Sequence, residues 1–204
     1  GEGDGETNYT TTFDSDVFAQ NLTVTGQGGV VLKGNFTGNA VFADDGTLTF
    51  DGNGTLNGAV TANEDGQGTL TFLGNSEITG QVGTSGEISQ SVKAVYGGAG
   101  DGETSYTTMF DADVCAQTVY VTGRGTVQMG GNLTGEVVFQ DDGTLAMNGG
   151  GSLTGAVTTD QDGQGTLDFI NASSISGDIG SSGLSLGGLK TWNEEFTVSA
   201  QNVY

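Results

Sequence analysis

The chain has no proline and no histidine, one cysteine, one tryptophan, and only four basic residues among 204. Each shortage closes a class of function. A catalytic thiol wants a histidine partner and the chain has none, so Cys115 does not read as catalytic. As the lone cysteine it cannot close an intrachain disulfide. Lys33, Lys93, Arg124 and Lys190 face 25 acidic residues, for a net charge of −21. Nucleic acid and anionic membrane surfaces both require a basic patch, so neither is an expected partner. No apolar run approaches the ~20 residues that cross a bilayer, so no membrane insertion is expected. Gly1-Glu2-Gly3-Asp4 lacks an initiator methionine and the features of a signal peptide. The chain therefore reads as a processed piece of something longer. Scarce basic residues, abundant Gly, Thr, Asn and Ser, and almost no Cys point to export and an extracellular location.

What fills the space is glycine, 39 residues of it, while apolar side chains reach only 34%. A thick spherical core is not expected from this supply; a thin core drawn out along a repetitive structure is. Self-similarity supports that reading. Asp4-Gly5-Glu6-Thr7 recurs at Asp101-Gly102-Glu103-Thr104, and Asp65-Gly66-Gln67-Gly68-Thr69-Leu70 recurs at Asp162-Gly163-Gln164-Gly165-Thr166-Leu167. The offset is 97 throughout, with 50 identities in 90 positions between 4–93 and 101–190. This organisation gives a first module over 1–97, a second over 98–190, and at 191–204 the start of a third or a terminal assembly strand.

A finer period runs inside each copy. Thr47-Leu48-Thr49-Phe50, with Gly52-Asn53, Gly58 and Val60, returns 22 residues later as Thr69-Leu70-Thr71-Phe72, with Gly74-Asn75, Gly80 and Val82. Leu48 and Phe50 alternate with threonines, as in a strand with one buried face. Gly and Asn mark the corners. Rungs of roughly 17–22 residues, with three short strands and no helical period, predict an all-β parallel β-helix, or β-solenoid, built from two tandem ~97-residue repeats. The alternative is two immunoglobulin-like β-sandwich domains, whose size a 97-residue copy also suits.

The stretches from Asp45 to Val60 and from Gly68 to Gly83 resemble passenger repeats of bacterial autotransporters, and most of all those of rickettsial outer-membrane surface proteins. The likeness covers about residues 22–86 and 119–183. It implies a right-handed parallel β-helix displayed outside the cell and serving adhesion or surface structure.

Three sets of residues are candidates for chemistry. Asp160 and Asp162, with Asn63 and Asp65 in the first copy, put oxygen side chains at alternate positions and are the candidate calcium ligands, calcium being the one possible cofactor. The pairs Asp44-Asp45 and Asp141-Asp142 could be taken for hydrolase carboxylates, but each precedes Gly-Thr-Leu, where a turn is expected. Thr23/Thr25, Thr47/Thr49 and Thr69/Thr71 could form a flat threonine ladder, a pattern the second copy loses. Phe18 stands where the second copy has Cys115, which reads as a buried apolar position.

Toward the C-terminus, Phe196…Ala200…Val203-Tyr204 matches Phe110…Ala116…Val119-Tyr120. This is either a cleavage boundary in a longer array or an assembly strand. In the second case Phe196, Val198, Ala200, Val203 and Tyr204 add to the open edge of a neighbouring molecule. The expected function is therefore not enzymatic. It is an extracellular structural segment of a surface fibre, layer or adhesin, with itself as partner in a homo-oligomer or filament and with a possible host or cell-surface ligand. A secreted carbohydrate- or calcium-binding module is the alternative.

Overall fold

The computed structural model describes residues 8–85, 90–171, 174–192, 197–199 and 202–204. Among them there is no helix, and every ladder between strands is parallel. The first copy supplies β1 (Thr10–Phe13), β2 (Val17–Val24), β3 (Gly29–Leu32), β4 (Phe36–Phe42), β5 (Thr47–Phe50), β6 (Gly54–Asn57), β7 (Val60–Ala62), β8 (Gln67–Phe72), β9 (Ser76–Ile78) and β10 (Val92–Gly97). The second supplies β11 (Thr107–Phe110), β12 (Val114–Val121), β13 (Thr126–Met129), β14 (Leu133–Phe139), β15 (Thr144–Met147), β16 (Ser152–Thr154), β17 (Val157–Thr159), β18 (Gln164–Phe169), β19 (Ser174–Ser176), β20 (Leu186–Thr191) and β21 (Thr197–Val198).

These strands stack into a β-solenoid of about nine turns in the right-handed sense that parallel crossovers take. Two immunoglobulin-like sandwiches are thereby excluded, because their sheets are antiparallel. Each turn has three faces. In the first copy β1, β3, β5 and β8 build face one; the starts of β2 and β4, then β6 and β9, build face two; the ends of β2 and β4, then β7 and Val82, build face three. Alternate residues point inward. Val30, Leu48 and Leu70 align in one buried column, as do Leu32, Phe50 and Phe72, at rung steps of 18 and 22 residues.

Glycine makes the bend between faces two and three. Gly38, inside β4, has φ +138, and a Cβ there would sit 1.7 Å from the Ala19 carbonyl oxygen of the turn below. Gly58 and Gly80 continue the column, each placing a virtual Cβ within 2.3 Å of the preceding glycine's carbonyl oxygen. Only a residue without a side chain permits that approach.

The two copies share one core, since β10 pairs with β8 below and β12 above. The repeat does not contain a whole number of turns, however. After four turns β10 adds one more face, so β11, the equivalent of β1, lies on face two above β9 rather than on face one. Every element of the second copy is thus displaced by one face: the threonine column of face one (Thr10, Thr47, Thr69) reappears on face two as Thr107, Thr126, Thr144 and Thr166. The ungapped offset of 97 also ends before the last rung. Val92 and Leu186 take equivalent places on Gln67 and Gln164, an offset of 94, because the loop after Ile179 is three residues shorter.

Phe18 departs from the expectation of a buried position. It is 77% exposed, whereas Cys115 is 3% exposed. Cys115 lies over Val82, whose carbonyl accepts its N–H, and no described strand lies beneath Phe18. The difference is one of place in the stack, not of the position itself.

Candidate functional site

At the corners between faces, an Asp or Asn side chain ties one rung to the next. The Asn35 and Asn132 N–H groups donate to Asp16 Oδ1 and Asp113 Oδ1 at 2.8 and 2.7 Å, and Asn202 N–H donates to Asp178 Oδ1 at 3.1 Å. Asn53 Oδ1 accepts from Asn75 N–H, and Asn75 Oδ1 accepts from Thr107 N–H, both at 2.9 Å, which carries the column across the junction of the copies. These carboxamides and carboxylates satisfy corner N–H groups that no strand pairs. A shallow groove of about 390 Å³ follows the corner past Thr55, Glu77 and Met109. The amide oxygens of Asn35, Asn53 and Asn75 along it are already engaged by backbone.

The candidate calcium ligands fall into equivalent places in the two copies and are not brought together. Asp65 Oδ1 accepts from the Ser91 hydroxyl at 2.5 Å and its N–H at 2.8 Å; Asp162 Oδ1 accepts from Ser185 in the same way at 2.6 and 2.9 Å. The Asn63 carbonyl oxygen takes a hydrogen bond from the Gln90 side chain. Among the described residues no group of three or more acidic, His or Cys side chains could hold a metal ion. The serine hydroxyl, then its N–H, hold the carboxyls of Asp65 and Asp162 below the usual range. A carboxyl whose folded pKa is depressed adds stability above its ordinary pKa of about 4, and that contribution disappears as pH falls through the folded value. Replacing both Ser91 and Ser185 with alanine is expected to lower Tm at pH 7, with the deficit shrinking steadily below about pH 4. A deficit independent of pH in parallel melts would contradict the latch.

The paired carboxylates are turn residues engaged with neighbouring rungs. Asp44 Oδ2 accepts from Gly26 N–H, Asp45 pairs with Lys93 at 2.5 Å, and Asp141 lies 3.5 Å from Arg124. The threonine pairs separate: Thr47, Thr49, Thr69 and Thr71 share face one, while Thr23 lies on face three. On face one the outward column above Thr49 and Thr71 continues as Tyr96 and Tyr120, whose rings stack at 4.6 Å.

The ends of the solenoid differ most from its body. Of the eight exposed large hydrophobic side chains among the described residues, six lie in the first or last turn: Tyr9, Phe18, Leu189, Trp192, Val203 and Tyr204. Leu189 is 43% exposed where its equivalent in the body, Val95, is fully covered. Of the expected assembly residues, Phe196 and Ala200 lie outside the described residues. Val198 pairs with Ile175, and Val203 bridges Ile179 of the same chain. Val203 therefore corresponds to Val114, which bridges Val82, and not to Val119 as the sequence match implies. The Asp-Val, Asn-Phe and Asn-Leu steps at 16–17, 35–36 and 132–133 carried the signal for this register, because Asn202-Val203 repeats them.

No family model, no curated protein and no solved structure matches the chain.

Proposed function

We propose that this chain is an extracellular structural protein, a rod-like segment of a surface fibre, layer or adhesin that associates end to end. The observation that carries this reading is the concentration of exposed large hydrophobic side chains in the two end turns. Contiguous exposed apolar surface marks an interaction site, and open solenoid ends present unpaired N–H and C=O groups. Nine turns at the ~4.8 Å spacing of neighbouring strands make a rod roughly 40 Å long. Its lateral faces carry threonines, polar corners and most of the acidic side chains. With a net charge of −21, lateral contacts between rods are repulsive, which leaves the ends as the favoured route.

Sedimentation velocity and negative-stain imaging test the reading. Elongated particles that lengthen with concentration are expected, and more so as salt is raised, because the Debye length is about 10 Å at 0.1 M and about 3 Å at 1 M. A monomer of fixed size at every salt concentration, with saturable glycan binding, would refute it.

A further inference from the structure

The last described residues cover the end of the solenoid in the way the second copy covers the first. In the body, β11 lies on β9 and Asp111 N–H donates to the Ile78 carbonyl; Val114 lies on Val82, and Cys115 N–H donates to the Val82 carbonyl. At the end, β21 lies on β19 and Ser199 N–H donates to the Ile175 carbonyl; Val203 lies on Ile179, and Tyr204 N–H donates to the Ile179 carbonyl. The backbone contacts correspond one for one, but the sequences do not. Thr107-Thr-Met-Phe-Asp-Ala-Asp-Val114 is nearly repeated by Thr10-Thr-Thr-Phe-Asp-Ser-Asp-Val17, whereas the end segment has Val198 at the register of Phe110 and one residue more before its second valine. Val203, with no described rung above it, is 57% exposed, whereas Val114 is 2% exposed.

We propose that residues 197–199 and 202–203 form an exchangeable cap, and that residues 10–17 of a second copy of this chain displace it, joining copies head to tail. The incoming segment has the sequence that already fits this seat in the body of the chain. Among the described residues, the outer edge of β1 carries no strand, so β1 can pair with β19 of one copy while keeping β3 of its own. The following strand of the incoming copy, from Asn21 to Val24, would then lie on β20 and cover Leu189, as β12 lies on β10 and covers Val95. The contact is heterologous and does not close on itself, so repetition gives a filament. An acidic copy must approach an acidic copy, and the exchange is therefore slow at low salt.

The proposal rests on the end-to-end reading above, and cysteine trapping separates the two. By the register of Met109 on Glu77, Thr12 of the incoming copy lies opposite Ser174. The full chain carrying Cys115→Ala, Thr12→Cys and Ser174→Cys is expected to give disulfide-linked oligomers at high salt. The control with Ser152→Cys in place of Ser174→Cys is not, because β19 already covers that position. Removing residues 197–204 is expected to raise the linked fraction, since the cap competes for the seat. Oligomers that form without the specific disulfide would overturn the exchange and leave end-to-end association standing. Absence of oligomers from every variant would overturn both. If the shortened chain loses its β-sheet circular dichroism, the full-length pair alone decides.

Discussion

Phe72→Ala is expected to lower the unfolding free energy by about 3–5 kcal/mol, the range for removing a buried aromatic ring from a core that cannot collapse around the gap. Phe72 is 1% exposed. Its ring stacks on Phe50 at 5.4 Å and 20°, and meets Phe110 edge-on at 5.9 Å and 83°. Phe50 belongs to the first copy and Phe110 to the second, so this one ring bridges the junction between them. Neighbouring rungs are fixed by their own ladders and glycine corners, which leaves little freedom to refill the space. A solenoid holds together through nearest-neighbour contacts, so a weakened junction uncouples its two halves. Trp192, whose Nε1–H donates to Asp168 at 2.7 Å, reports on the second half. Denaturation followed by tryptophan fluorescence and by far-ultraviolet circular dichroism should therefore diverge in the variant. Coincident transitions, with a loss under about 1 kcal/mol, would show that Phe72 is not the joint.

That junction also marks where the sequence stopped being readable. The parallel β-helix was legible from Thr47-Leu48-Thr49-Phe50 and its return at Thr69–Phe72, because a period of two with Gly-Asn corners has few other solutions. The one-face displacement was not. It depends on β10 being a complete extra face, and Ser91-Val92-Lys93-Ala94-Val95-Tyr96 looks like any strand until its partners are known. The same limit explains the register error at Val203. Identity of residue types favoured Val119, but the backbone N–H groups at a corner need an Asx oxygen, and Asn202 supplies the donor side of that pair with Asp178. Spacing alone makes the candidate calcium residues look like ligands; Ser91 and Ser185, which engage two of them, are 26 and 23 residues away in sequence. The end hydrophobics, Phe18 and Trp192 among them, gave no sign in sequence because exposure depends on what lies in the next rung.

Gly68→Ala is expected to destabilise the chain well beyond Gly163→Ala, although both glycines have nearly the same positive φ, +82 and +78. The shared part is the cost of holding an L-residue in the left-handed region, about 1–2 kcal/mol. At Gly163 nothing lies within 4 Å of the added methyl, so that cost stands alone. At Gly68 the methyl would sit 2.1 Å from a ring carbon of Phe42, which is fully buried. Relief requires Phe42 to leave its column or the rung to shift, a further penalty of about 1–3 kcal/mol. Gly165, with φ +81 and Phe139 at 2.3 Å, should behave like Gly68, which makes the second copy an internal replicate. Urea midpoints of the three variants measure the difference directly. Equal losses at Gly68, Gly163 and Gly165 would mean that the backbone alone demands glycine there; two large losses and one small one would place the demand on the phenylalanine rings that fill the corners of the core.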